Sequence, residues 1–148
     1  MQDPVDIAVT HYNNGYSCAQ SVLAAFAARY RLTHDAVHGL AAPFGAGMSR
    51  RADTCGAVTG ALMVLGLHYW DRHTGPQEAK EKIYQISQEF MQEFKARNGT
   101  VVCRELLNID ISDPQGLEQA RQAHLFESLC PNFVRDAVEL LEHWVAVE

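Results

Sequence analysis

The sequence predicts an all-α fold, a single-domain bundle of about six to eight helices spanning residues 1–148. Three observations predict it. Strand-like alternation is scarce, and Val101-Val102-Cys103 is the only β-branched cluster, too short to build a sheet by itself. Helix-start residues recur along the chain, at Ser17, Thr33, Pro76 and Asp113-Pro114. Apolar residues return at helical spacing in the segments that follow these starts.

The first helix is expected over Pro4 to Tyr12, stopped by Asn13-Asn14-Gly15. The second begins at Ser17, where Ser17 and Gln20 form an S-x-x-Q capping box that satisfies two free N–H groups. It continues through alanine-rich sequence, with Cys18, Val22, Ala25 and Phe26 on one face. A third, short helix follows Thr33 and ends near Ala42-Pro43. Then comes Pro-Phe-Gly-Ala-Gly-Met-Ser-Arg-Arg-Ala-Asp, a loop with two glycines, and a fourth helix in the least polar run, Asp53 to Trp70. Pro76 opens a long fifth helix to Arg97, with Ile83, Ile86, Phe90 and Phe94 as its apolar stripe and a Glu78–Lys82 pair on its wet side. Asn98-Gly99 stops it. Thr100 caps a short helix carrying Cys103 to Leu107, and Ser112 or Asp113 opens another before Pro114. The last starts at Pro131 and buries Val134, Ala137, Val138, Leu141, Trp144 and Val145.

Composition narrows the function. The 148 residues carry 12 Lys+Arg and 18 Asp+Glu, a net charge of −6. No basic stripe offers an electrostatic footprint for nucleic acid. Ala57 to Leu67 is apolar but too short to span a bilayer, so no membrane insertion is expected. The first residues lack a basic start and an apolar segment, and the expected location is the cytoplasm. In that reducing compartment the four cysteines, Cys18, Cys55, Cys103 and Cys130, are not expected to be structural disulfides. They form no CxxC and no CxxCH.

All four cysteines fall at expected helix N-termini. Cys18 follows Ser17, Cys55 follows the potential caps Asp53 and Thr54, Cys103 lies in the first turn after Thr100, and Cys130 precedes Pro131. Free N–H groups and about half a positive charge at a helix start favour thiolate over thiol. Thiolates bind metals, attack disulfides and oxidise. Arg50 and Arg51, just before Cys55, would add to the effect, which makes Cys55 the candidate redox thiol. The alternative is that the cysteines are small buried hydrophobes.

Other motifs are weaker. Gly56 and Gly60 share a helical face, where another helix or a cofactor can approach closely. Gly45 and Gly47 resemble an anion cradle, but no Lys-Ser/Thr follows, and a tight turn is expected. His34 and His38 have metal-compatible i,i+4 spacing without a third ligand nearby in sequence, and read as a solvent-facing pair. No H-E-x-x-H, G-x-S-x-G or paired-carboxylate signature occurs.

The order Cys18, Cys55-Gly56-Ala57-Val58-Thr59-Gly60, Cys103, Cys130 resembles the C_GCAxxG_C_C family of redox proteins. So do Asn13 to Phe26, Phe44 to Gly66, Cys103 to Leu107 and Leu129 to Glu142, so that the resemblance runs along nearly the whole chain. The family label writes Gly-Cys-Ala where this chain reads Cys55-Gly56-Ala57, the order its members carry. Ala46 stands where glycine would be common. The resemblance implies a small helical domain with four hallmark cysteines and a redox or metal-cluster role. A related helical segment occurs in split-Soret cytochromes, where an iron–sulfur site has been considered. Their covalent haem does not transfer, because this chain has no CxxCH.

Three readings stay open. In the first, Cys18, Cys55, Cys103 and Cys130 ligate an iron–sulfur cluster, with Gly56, Gly60, Arg50 and Arg51 around it. In the second, two of them cycle between dithiol and disulfide without metal, which needs Cα atoms within about 7 Å. In the third, they hold a structural Cys₄ zinc or stay inert in a binding protein. The expected partner is a redox protein or small molecule that the sequence does not name. A homodimer is compatible with glycine-faced helices.

Overall fold

The structure is a computed structural model and describes residues 2–146. Eight helices dominate: α1 Pro4–Asn13, α2 Cys18–Phe26, α3 His34–Ala41, α4 Gly56–Tyr69, α5 Pro76–Asn98, α6 Cys103–Leu107, α7 Pro114–Gln122 and α8 Cys130–Trp144. A single helical turn, Leu125–Ser128, leads into α8. The all-α expectation holds, and the helix count falls in the expected range.

Local chemistry explains most starts. Asp3 accepts from the Val5 N–H at 3.0 Å ahead of Pro4. The Ser17–Gln20 box is complete, with Ser17 Oγ accepting from Gln20 N–H at 3.2 Å and Gln20 Oε1 accepting from Ser17 N–H at 2.9 Å. Thr33 caps α3, and Asp113 caps α7 before Pro114. Gly99, at φ 88°, ends α5 as expected. Two starts differ from expectation. Neither Asp53 nor Thr54 caps α4; Cys55 itself is the cap residue, without a side-chain cap bond. Thr100 does not cap α6 directly: its hydroxyl accepts from Val102 N–H and donates to Glu105.

The core forms around α4, which packs most extensively on α2 and also meets α5 and α8. Val58, Ala61, Val64 and Leu65 of α4 join Val22, Leu23 and Phe26 of α2, Phe90 and Phe94 of α5, and Val134, Val138 and Leu141 of α8. Each fully buried phenylalanine stabilises the fold by about 1.5–3 kcal/mol relative to exposure. The stripes are narrower than expected at their ends. Ile83, Ile86 and Trp144 are only partly buried, and Trp144 Nε1 donates to Glu93 at 2.7 Å. Lys82 lies over the Tyr69 ring, 5.6 Å from its centroid, and makes no ion pair with Glu78. A second apolar cluster gathers Ala52, Cys103, Leu107, Ile111, Ala120 and Cys130, and Tyr12, Cys18 and Phe133 touch both clusters.

The loop before α4 is more unusual than a tight turn. Ala46, Gly47, Met48, Ser49 and Arg50 are consecutive residues at φ between 56° and 69°, and Ala52 follows at 59°. This is a left-handed turn, in which Ser49 N–H donates to the Gly45 carbonyl at 2.9 Å. Each non-glycine residue so placed costs roughly 1–2 kcal/mol. Two bonds back to the loop entry hold it, from Asp53 N–H to the Gly47 carbonyl and from Ser49 Oγ to the Pro43 carbonyl.

Among the described residues the only extended pairing is an antiparallel bridge between Thr54 and Val102. Cys55 N–H donates to the Val101 carbonyl at 2.8 Å, and Cys103 N–H donates to the Asp53 carbonyl at 2.6 Å. The β-branched cluster at 101–103, too short for a sheet, thus clips the start of α4 to the start of α6.

Candidate functional site

The four cysteines line one cavity of about 400 Å³. Cys18, Cys103 and Cys130 are the first residues of α2, α6 and α8, and Cys55 caps α4. Four helix N-termini therefore open on one space, in keeping with the N-terminal positions expected from the sequence. Cys55, Cys103 and Cys130 are buried, Cys18 is partly buried, and all four are free thiols. Tyr12, Ala46, Gly47, Gly56, Leu107 and Phe133 complete much of the wall, and Asn13, Tyr16 and Glu127 also line it.

The thiols form two pairs. Cys55 and Cys103 flank the bridge residues Thr54 and Val102. Because side chains alternate along extended backbone, both lie on the face opposite those two residues. Cys18 and Cys130 act most strongly on each other, each shifting the other's acidity in the opposite direction. Cys18 feels the charge of the other three thiols, Cys103 that of Cys55 and Cys130, and Cys55 that of Cys130.

The electrostatics correct the expectation of four low-pKa thiols. Burial pushes Cys55 up to about 12, although the backbone N–H groups of Ala57 and Val58, in the first turn of α4, pull the other way. The helix N-terminus acts with the expected sign and loses to desolvation. Burial likewise raises Cys103 to about 12, helped by the charges of Cys55 and Cys130 and opposed by Arg104. Donation to Cys130 raises Cys18, and burial adds to it. Only Cys130 lies below the ordinary thiol value, because the Cys18 S–H and then the Tyr12 hydroxyl stabilise its anion against the cost of burial. In the metal-free protein the surroundings lower the Cys130 thiol, while burial raises Cys55.

The remaining candidates separate. Gly56 lines the cavity, and a Cβ there would sit 3.1 Å from Cys18 Cβ and 3.0 Å from the Phe44 carbonyl. Gly60 lies deeper, where a Cβ would meet the Ala19 carbonyl at 2.7 Å; it serves the close approach of α2 and α4. Arg50 and Arg51 are exposed and do not line the cavity. Arg51 reaches Asp53 at 3.5 Å instead. The cation that acts on Cys103 is Arg104, which also binds Asp53 Oδ1 and the Ala52 carbonyl, each at 3.2 Å. Its position directly after Cys103 was the available signal. Tyr12 gave no signal, because its hydroxyl bonds the Phe126 carbonyl, 114 residues away, at 2.8 Å.

Beside the cavity Tyr16 stacks on His38, with ring centroids 4.2 Å apart and planes 14° apart. His34 meets His38 edge-on at 4.2 Å, and His11 lies 5.7 Å from His38. The His34–His38 pair thus belongs to an aromatic cluster that the spacing did not reveal.

Among the described residues no three His, Cys, Asp or Glu side chains are gathered as ligands of a metal ion. A single zinc needs its sulfurs about 2.3 Å from one centre. The four cysteines line one cavity and are the residues that could hold a bound group there. The Ala57 and Val58 N–H groups at the Cys55 sulfur are of the kind that tune such a group. A family model described as "Putative redox-active protein (C_GCAxxG_C_C)" matches residues 16–144. No curated protein and no solved structure matches the chain.

Proposed function

The chain belongs to this four-cysteine family of redox proteins, and from that premise we propose that Cys18, Cys55, Cys103 and Cys130 hold an iron–sulfur cluster for electron transfer or redox sensing. One observation carries the reading: four helix N-termini, each bearing a cysteine, open on one cavity. A dithiol needs two cysteines, not four. Burial and mutual repulsion also hold three of these thiols protonated. A cationic centre is what would offset four sulfur anions in such a space, and its binding would release their protons. When bound, a cluster supplies one-electron chemistry. The chain's own part is to orient four sulfurs, exclude water with Leu107 and Phe133, and set the start of α4, with the Ala57 and Val58 N–H groups, beside Cys55.

The test is purification without oxygen, followed by a visible spectrum with iron and acid-labile sulfide analysis on one sample. Broad visible absorption with iron and sulfide, lost in Cys103→Ala, is the expected result. Colourless protein with stoichiometric zinc would overturn it and make the cysteines architecture.

The mutual influence of Cys18 and Cys130 at one cavity favours a second reading, a metal-free dithiol. The Cys130 thiolate would attack a substrate disulfide, forming a mixed disulfide and expelling one thiolate. Cys18, once deprotonated, would attack the Cys130 sulfur and expel the second. The products are a Cys18–Cys130 disulfide and two substrate thiols, with two electrons transferred. Colourless, metal-free protein that reversibly loses two thiols on oxidation would select this reading.

A further inference from the structure

α4 is the least polar helix of the chain, and the fold covers only part of it. Val58, Ala61, Val64 and Leu65 are enclosed by α2, α5 and α8. The stripe Met63, Gly66, Leu67 and Trp70, at i, i+3, i+4 and i+7, faces a hollow of about 570 Å³ instead, flanked by Leu40 of α3 and Ile83 of α5. Leu40 is 61% exposed, Trp70 51% and Leu67 38%. Half of a tryptophan's surface is about 100 Å². The neighbouring side chains widen the bare patch to on the order of 300 Å², a size that marks contact sites. Gly66 lies in this hollow. A Cβ there meets nothing within 4 Å, so neither Trp70 nor any other side chain of the same copy covers it. Gly56 and Gly60 are required by groups packed against them, and Gly66 is not. A glycine inside a helix is destabilising relative to alanine. Within one copy nothing offsets that cost.

We propose that this face binds a second copy of the chain, in a two-fold dimer where Trp70 of each copy seats on the partner's Gly66. The Trp70 N–H donates to the Gly66 carbonyl at 3.0 Å, so projection and hollow lie one helical turn apart on one face. Two such faces crossing antiparallel bring each projection onto the other's hollow, and the contact closes on itself. Charge points to the same occupant. Among the described residues that line the hollow none is charged or titratable. Near a two-fold axis each group meets its own copy, so a charge there would repel itself. A chain of net charge −6 leaves this face free of that repulsion. A stable interface buries about 800 Å² per partner. The patch supplies the apolar centre, and the polar residues around it supply the rim. The inference does not depend on what the cysteine cavity holds.

The test is sedimentation equilibrium of the full chain at rising concentration, with circular dichroism to check that each variant keeps its helices. Wild type is expected to pass from monomer to dimer. Trp70→Ala removes the projection and should raise the dissociation constant by at least about tenfold. Gly66→Leu fills the hollow with apolar surface and a better helix former. It should weaken the dimer by a similar factor while raising the melting temperature of the dilute monomer. A non-specific apolar contact would respond in the other direction and tighten. Tyr84→Ala removes a similarly exposed aromatic of α5 outside the hollow, and should leave the dimer unchanged. Wild type that stays monomeric at every concentration would overturn the proposal. So would Gly66→Leu protein that dimerises as tightly as wild type, or an equal loss in Tyr84→Ala. A monomer that floats with phosphatidylcholine vesicles, and no longer does so in Trp70→Ala, would also overturn it and assign the face to a membrane surface.

Discussion

Cys103 and Asp53 are joined by a 2.6 Å backbone hydrogen bond, the Cys103 N–H donating to the Asp53 carbonyl. With the return bond from Cys55 N–H to Val101, it fixes two cysteines from different helices through the main chain alone. Side-chain substitution leaves both bonds available. Native-state hydrogen exchange should therefore find the Cys55 and Cys103 amides protected against local opening. Exchange of both at the rate of a frayed loop would show that this clip does not hold.

Two glycines of α4 are expected to respond oppositely to alanine. In Gly60→Ala the new Cβ meets the Ala19 carbonyl at 2.7 Å and Ala19 Cα at 3.0 Å, both backbone. Overpacking of this kind costs about 1–3 kcal/mol. Gly66→Ala meets nothing within 4 Å. It should gain stability by up to about 0.8–1 kcal/mol, the helix propensity difference. Denaturant melts of both variants check the pair.

The left-handed turn makes a second prediction in the opposite sense. Ala46 sits at φ 56° and ψ 41°, so Ala46→Gly relieves a Cβ clash and should stabilise by about 0.5–1 kcal/mol. Gly47→Ala adds a Cβ at φ 67°, only 2.7 Å from Ala52 Cα. It should lower the melting temperature and increase alkylation of Cys55, whose segment follows directly. Equal melting of both variants and wild type would remove the argument from strain.

Stability of the metal-free protein should fall in alkali. The folded Cys55 thiol is raised to about 12 by burial, while an unfolded cysteine titrates near about 8.5. Between those values the unfolded state binds fewer protons than the folded state, so stability decreases as pH rises. The stabilisation is complete below about 8.5 and lost progressively towards 12, at about 1.4 kcal/mol per pH unit for this thiol. Thermal melts across that window should decline less steeply in Cys55→Ala. An identical slope in the variant would assign the decline to other groups.

What the sequence discloses is local. Ser17 with Gln20, Thr33, and Asp113 with Pro114 announce helix starts through contacts spanning three residues, and Gly99 announces an end. The N-terminal placement of all four cysteines is legible for that reason. What the sequence does not disclose depends on distant partners. The pairing of Cys18 with Cys130 spans most of the chain, and Tyr12 meets Phe126 only because α1 packs on α8. Arg50 and Arg51 adjoin Cys55 in sequence, but the left-handed turn leaves them outside the cavity wall. The protonation of Cys55 runs against expectation because the sequence shows the helix start and not the depth of burial that outweighs it.

The cavity wall draws on α2, α4, α6 and α8, and its last cysteine arrives with the final helix. That helix lies against α1, α2, α4 and α5 at once. During synthesis a chain that has not yet released α8 from the ribosome carries three of the thiols around an unfinished chamber, without its fourth wall. Any group that needs all four sulfurs must therefore await the release of α8. Truncation before Cys130 removes the vessel together with the ligand.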